Sequence, residues 1–388
     1  RQWFLNQLMG PSAVYNMPLA LALPPDTDCV ALLKSLHGIV ARHETLRTRF
    51  GKQEDGLIVQ CIDPAASNIS LENVDADHVL NEICRAEKNY LFDLNKDTLC
   101  RIRLLAHVGP DIARSGSYTL LITMQHSISD AWSLNVFFKE LNSFYKSFKN
   151  NIAVDLAPLK IQYADFASWQ RIHLRGGVLD RQLGYWKNQL DALPGLLNLP
   201  TDFPRPNEQT FHGRNEKITL TQQLSAQLNA LSRTNGVSLF MCLISAFSVL
   251  MCRYASQRDI AIGTPIANRT RQETEALIGF FSNTLVIRLR LENDPDFLAL
   301  LKQTREVALQ AYAHQDIPFE QLVEELNPER SLSHTPLFQV MFSLQNTPFD
   351  EENFSELYIN HSNFSDDDEG IARFDLNLTV HETTDAQI

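Results

Sequence analysis

Two side chains that could do chemistry stand four apart in Met124-Gln125-His126-Ser127-Ile128-Ser129-Asp130-Ala131-Trp132-Ser133: an imidazole, His126, and a carboxylate, Asp130. An unperturbed imidazole titrates near neutral pH, so it suits general base catalysis or the positioning of an amine. The elements on either side must position it. Tyr118-Thr119-Leu120-Leu121-Ile122-Thr123 predicts a buried strand, apolar and β-branched in turn. Leu134, Phe137, Phe138, Leu141, Tyr145 and Phe148 recur at helical spacing. A strand therefore runs into a helix through one short polar turn. A strand end is rigid and a helix start offers unpaired N–H groups, a good place for an imidazole beside developing negative charge. The same residues have a plainer use, with Ser129 or Asp130 as the helix N-cap and His126 as a hydrogen-bonded core histidine.

The wider composition narrows the classes. A chain of 388 residues is too long for one ordinary core and predicts two domains or lobes. Hydrophobic residues at 44% and charged residues at 21% are those of a soluble globular protein. A net charge of −12 argues against nucleic acid and anionic membrane as partners. Cys29, Cys61, Cys84, Cys100, Cys242 and Cys252 have neither C-x-x-C pairing nor metal spacing, so free thiols in a reducing cytoplasm and no metal site are expected. No signal peptide or apolar run of membrane length is seen. The first residue is Arg1, and Asp385-Ala386-Gln387-Ile388 ends without a closing helix, so a fragment of a longer polypeptide, truncated at its C-terminal end, is expected.

Along the chain, Asp28 predicts the cap of a helix whose apolar face holds Leu33, Leu36 and Val40. The decamer Ala41-Arg42-His43-Glu44-Thr45-Leu46-Arg47-Thr48-Arg49-Phe50 turns into a strand. His107, in a strand with one wet face, reads as a surface residue. Tyr163-Ala164-Asp165-Phe166-Ala167-Ser168-Trp169-Gln170 reads as helix, and Gly176-Gly177 breaks the pattern. The expected lobes are 1–176 and 177–388, with a proline-rich linker at 199–206. In the second half Thr221 and Ser238 cap helices, Asp259-Ile260-Ala261-Ile262-Gly263 is a strand, and a polar loop runs from Thr264 to about Ala276. Ile278-Gly279-Phe280-Phe281-Ser282-Asn283-Thr284-Leu285-Val286-Ile287-Arg288 follows. Pro295 and Pro318 are read as helix starts, and His314 and Asp316 as a structural turn. Asp366-Asp367-Asp368-Glu369 reads as a solvated loop, and 374–380 as the last strand.

The stretch around His126 resembles the His-His-x-x-x-Asp-Gly motif of condensation domains of nonribosomal peptide synthetases. The second His and the Asp match; Gln125 and Ala131 stand at the other two places. The resemblance runs along almost the whole chain. Residues 41–50 resemble the second motif without departure, 163–170 the fourth, 278–288 the fifth with Ser282 where valine is common, 314–326 the sixth and 330–342 the seventh. Only Trp3-Phe4-Leu5 represents the first.

That resemblance implies a mixed α/β fold of two chloramphenicol acetyltransferase-like lobes forming a V-shaped pseudo-dimer, with the site in a cleft open at both faces. It implies an acyltransferase that joins a donor acyl or peptidyl thioester to an acceptor aminoacyl thioester. Both ride on phosphopantetheine arms of partner carrier domains, so no cofactor of its own is expected, and an adenylation domain is the expected neighbour. His126 is then the catalytic residue. Gln125, Ala131, Trp132, Ser133 and Asn283 belong to the active-site motifs. Asp130 is structural, paired with an arginine, for which Arg47 and Arg288 are the candidates. Helix N–H groups after Asp130 are the expected oxyanion donors. Gln125 cannot titrate. Within the superfamily, heterocyclisation domains carry Asp in place of the first His, and recruiting domains for cytochrome P450 lose the second, so neither fits. A variant reaction (ester formation or dehydration) and a catalytically silent docking platform are the alternatives.

Overall fold

The apolar stretch before His126 is the central strand of a five-stranded sheet. The computed structural model describes residues 10–64, 69–111, 116–329, 331–345, 360–361, 370–382 and 388. The chain divides into two units, the first comprising Arg1–Gln170, Arg269–Phe281 and Pro348–Asp367. The second comprises Arg171–Asn268, Ser282–Thr347 and Asp368–Ile388.

In the first unit, β1 (Asn16–Leu23) leads to α1 (Cys29–Arg42), whose N-cap Asp28 accepts the Val30 and Ala31 N–H groups, as expected of that residue. The ribbon β2 (Thr48–Lys52) and β3 (Ile58–Ile62) follows, then β4 (Ile69–Ala76) and α2 (Asp77–Lys88). Next come β5 (Cys100–Asp111), β6 (Tyr118–Gln125), α3 (Ala131–Lys149) and α4 (Tyr163–His173). The sheet order is Asn360–His361, β1, β6, β5, β4, antiparallel except for the β4–β5 pair.

Alternation along β6 explains its position. Leu120, Ile122 and Met124 join a core with Leu32, Leu36 and Ile39 of α1 and Phe137, Phe138 and Leu141 of α3. Leu121 faces the other way, with Ala20, Val74 and Leu105, against Val79, Leu80 and Ile83 of α2. With both faces covered, the strand reads as a nearly continuous apolar run.

His107 departs from expectation. It is buried, 1% exposed, with its ring 2.9 Å from Thr119 Oγ1 and 3.4 Å from Ser117 Oγ. Covering the second face of the sheet with α2 removes the wet side that a surface histidine needs.

The second unit holds α5 (Gly177–Gln189), the short β7 (His212–Gly213), α6 (Gln222–Thr234) and α7 (Leu239–Ala255). Thr221 and Ser238 cap the last two through their side chains. Then come β8 (Asp259–Ile266) and, after the excursion into the first unit that contains α8 (Gln272–Glu275), β9 (Asn283–Arg290). α9 (Phe297–Ala313), α10 (Phe319–Leu326) and β10 (Val340–Gln345) follow. The sheet order is Leu376–His381, β10, β8, β9. Buried Ile244, Phe247, Val286, Ile287, Leu300, Phe342 and Trp186 form its core. α9 starts after Asp296, which caps it, and Pro318 is itself the N-cap of α10, each a residue or two beyond the proline reading.

The two units do not follow the expected bounds of 1–176 and 177–388 residue for residue. Gly176 does break the chain, at φ 53°, but the division falls at Gln170 within α4. The second unit is also interrupted, because Arg269–Phe281 belongs to the first. The reason is burial: Ile278 enters the core of α1 and α3, while Leu277 and Phe281 cluster with Phe166.

All six cysteines are free thiols. Among the described residues no single helix is long and apolar enough to cross a membrane. Trp3-Phe4-Leu5, Arg330 and the acidic run Asp366-Asp367-Asp368-Glu369 lie outside the described residues.

Candidate active site

The turn that carries His126 is held by three backbone hydrogen bonds. The Gln125 N–H donates to the Leu99 carbonyl at 2.9 Å, and the His126 N–H to the Tyr15 carbonyl at 2.8 Å. The Ile128 N–H closes the turn onto the Gln125 carbonyl at 3.0 Å. Gln125, the place where the motif departs, is buried, and its Oε1 accepts the Ser127 N–H at 2.5 Å. Its side chain therefore shapes the turn and needs no charge to do so. His126 is half-buried, and its ring meets Phe280 edge-to-face, centroids 5.0 Å apart at 80°.

Asp130 ends the turn. Its extended backbone (φ −141°, ψ 178°) and its carboxylate cap α3. Oδ1 accepts the Ser133 N–H at 2.8 Å and lies 2.7 Å from Ser133 Oγ, and Oδ2 accepts the Phe281 N–H at 3.0 Å. The plain N-cap reading is therefore correct for Asp130. It also meets the expectation of a structural arginine partner, but with a different arginine.

That partner is Arg269, whose Nη2 lies 3.2 Å from Oδ1 and donates to Ser133 Oγ at 2.9 Å. Its Nη1 donates to the Thr274 and Leu277 carbonyls, and its guanidinium lies 4.0 Å from the centre of the Phe281 ring. Burial holds the guanidinium below its ordinary value, and the Asp130 carboxylate offsets only part of that. Both candidates named from sequence are engaged elsewhere. Arg47 Nη1 donates to the Asp63 carbonyl at 2.7 Å. Arg288, in the second unit, pairs with Asp259, at 2.6 Å from Nη2 to Oδ2. It also donates to the Gln189 and Asp191 carbonyls, closing the C-terminal end of α5.

The remaining motif residues divide between structure and surface. Ala131 is the exposed first residue of α3 and lies outside the positive-φ positions, so a Cβ where the family has glycine brings no strain. Trp132 Nε1 donates to the Glu275 carbonyl at 2.9 Å. Ser133 is fully buried and holds Gly279, accepting its N–H at 3.0 Å with Oγ 2.8 Å from its carbonyl. Asn283 is in the second unit, where Nδ2 donates to the Gln315 and Ile317 carbonyls and Oδ1 accepts the Phe319 N–H. It fixes the turn before α10.

The expectation for the oxyanion changes in one respect. The Ser133 N–H, among the first donors of α3, is already taken by Asp130. The positive end of that helix thus faces a carboxylate, which Arg269 in turn neutralises. Sequence reasoning missed Arg269, Phe280 and Tyr163 as parts of this site. Arg269 sits in a polar loop with no spacing that links it to Asp130. The one available hint was Gly279 among aromatic residues.

The whole chain, residues 1–388, matches the family model described as Condensation domain. A linear gramicidin synthase polypeptide of Brevibacillus parabrevis is 45% identical over 395 residues, covering 98% of this chain and 5% of that protein. The dimodular nonribosomal peptide synthase of Bacillus subtilis (strain 168) is 38% identical over 390 residues, covering 98% of this chain and 16% of that protein. The chain thus spans only a small part of the relatives it matches. Among solved structures, the X-domain from teicoplanin biosynthesis superposes with a TM-score of 0.84 at 26% identity, covering 98% of this chain and 83% of that one.

Proposed function

The chain belongs to the condensation-domain family, and we propose that it forms an amide between two carrier-bound substrates. The donor is an acyl or peptidyl thioester and the acceptor an aminoacyl thioester, each on the phosphopantetheine arm of a peptidyl carrier domain. The amine nitrogen attacks the thioester carbonyl carbon. The tetrahedral adduct collapses, the C–S bond breaks, and the proton lost by the amine ends on the departing thiolate. A thioester is already activated, so no protein nucleophile is needed. Orientation of two tethered reactants can be worth about 7–11 kcal/mol in well-aligned cases.

The observation that carries this reading is His126. It is a half-buried imidazole on a turn whose backbone is fixed by Tyr15 and Leu99. In this reading it takes the amine proton or holds the amine for attack, and Asp130 keeps the turn in place without joining the proton transfer. Adenylation and carrier domains are the proposed neighbours in a cytoplasmic assembly line. The test is direct. The chain is mixed with carrier proteins loaded with candidate donor and acceptor amino acids, and products are read by intact-protein mass spectrometry. A dipeptidyl thioester on the acceptor carrier is expected. Its absence with every pair, from a folded protein, would favour the silent docking platform that Gln125 at the first motif position suggests. An ester on a hydroxyl acceptor would favour the variant reaction.

A further inference from the structure

We propose that Phe280 sets the orientation of the His126 imidazole, and that Tyr163, Ser133 and Asp130 hold Phe280 in place through its flanking peptide groups. The ring contact is the edge-to-face one at 5.0 Å and 80°. Such a geometry is favoured by the aromatic quadrupole, which sets the positive edge of one ring against the negative face of the other. It biases a ring between rotamers when the backbone beneath that ring is already fixed.

What distinguishes this contact is how residue 280 is held. The peptide unit between Phe280 and Phe281 is bound at both ends. Its carbonyl accepts the Tyr163 hydroxyl at 2.8 Å, and its N–H donates to Asp130 Oδ2 at 3.0 Å. One residue back, Ser133 Oγ accepts the Gly279 N–H at 3.0 Å and lies 2.8 Å from its carbonyl. The main chain on both sides of Phe280 is therefore pinned, and only its side-chain torsions remain free. Gly279 is required by the same arrangement. A Cβ there would overlap the Tyr163 ring, which must lie against residue 279 for its hydroxyl to reach residue 280.

Burial separates Phe280 from a simple core aromatic. Leu277, Ile278, Gly279 and Phe281 are all buried, whereas Phe280 and His126 are both partly exposed. The buried neighbours anchor the segment, and the residue left at the surface is the one that meets the imidazole. Asp130 thereby acts beside His126 twice, by capping the helix that follows its turn and by holding the peptide group next to the ring that faces it. Phe280 is a positioning residue in this account, since it acts through His126. Its effect on rate rests on the amide-forming reading above, whereas the orientation claim itself does not.

The experiment follows the His126 ring by NMR in histidine-labelled protein, with His126→Ala supplying the assignment. Phe280→Leu, Phe280→Tyr and Tyr163→Phe are compared, and each is assayed with loaded carriers. Phe280→Leu should move the His126 ring resonances and lower kcat by about 10–100-fold, the scale of a small misplacement, with KM for the carriers little changed. Phe280→Tyr should restore both. Tyr163→Phe removes one hydroxyl from an otherwise isosteric ring. It should move the same resonances and lower kcat in the same direction, and it serves if Phe280→Leu does not fold. Unmoved resonances in Phe280→Leu and Tyr163→Phe would overturn the proposal. Moved resonances at wild-type kcat would overturn the effect on rate. If the wild type makes no amide with any pair, the reading of the reaction fails, and the resonances alone decide the orientation.

Discussion

Asp130 and Arg269 are separated by 139 positions in the chain and form an ion pair of 3.2 Å, with side chains 3% and 1% exposed. The pair couples the cap of α3 to the loop after β8, and through Phe281 to the segment beside His126. A buried pair contributes little net energy relative to an apolar replacement, but loss of one partner leaves a buried charge uncompensated. Its role is to specify which loop conformation accompanies the turn.

Arg269→Ala should therefore lower stability by about 3–5 kcal/mol, the usual result of stripping one partner from a buried pair. Arg47→Ala, which leaves Asp130 paired, should be far milder. Chemical denaturation of the two variants checks this, and equal losses would show that the pair does not anchor the loop. Asp130→Ala should resemble Arg269→Ala, since it removes the same pair together with the helix cap.

His126→Ala should leave folding intact, because the residue is only half-buried and its turn is held by backbone bonds. Amide formation should fall by roughly 10²–10⁴, the range for a positioned general base. A folded variant that joins loaded substrates at the wild-type rate would remove His126 from the chemistry.

Gln125→His should change the rate by less than about tenfold, or ~1.4 kcal/mol. A neutral imidazole nitrogen can accept the Ser127 N–H as Gln125 Oε1 does, so the turn survives. Gln125→Leu cannot accept it and leaves a buried N–H unpaired, which costs about 1–3 kcal/mol. Comparing the two variants by thermal melting and by rate separates an orienting role from decay. A silent wild type awakened by Gln125→His would point to decay.

The carboxylates beside β5 make a pH prediction. Burial pushes the Glu87 carboxyl up, but hydrogen bonds from Arg101 and Arg103, at 2.9 Å to Oε1, overcome it and hold it below its ordinary value. Glu72 is held low chiefly by its hydrogen bond from Arg103. A folded-state value below the unfolded one contributes stability above the unfolded carboxyl value, about 4.3, and that stability is lost as pH falls through the folded value. Melting temperature should drop on acidification below about pH 5. Glu87→Gln, which cannot titrate, should be less stable at pH 7 and show a shallower acid-side fall. Parallel curves for the two proteins would contradict the assignment.

What the sequence determined by itself is local. Asp28, Asp130, Thr221 and Ser238 cap helices because an N-cap is decided within three residues, by a short polar side chain reaching the next N–H groups. The strand before His126 follows from a short, nearly continuous apolar and β-branched run, and the helix after it from apolar residues at a period of 3.6. The order of the motifs along the chain carried the family, and that too is a property of sequence. Tertiary structure decided which distant groups meet. Arg47, Arg288 and Arg269 carry the same guanidinium, so no residue type or spacing singles out the partner of Asp130. The selection was made by the burial of Leu277, Ile278 and Phe281, which brings the Arg269–Phe281 segment into the first unit. His107 went from expected surface to core for a related reason, since a helix elsewhere in the chain covered its face of the sheet. Phe280 meets His126 because its neighbours are buried and its peptide groups are held by Tyr163 and Asp130, a relation made of contacts more than a hundred residues apart.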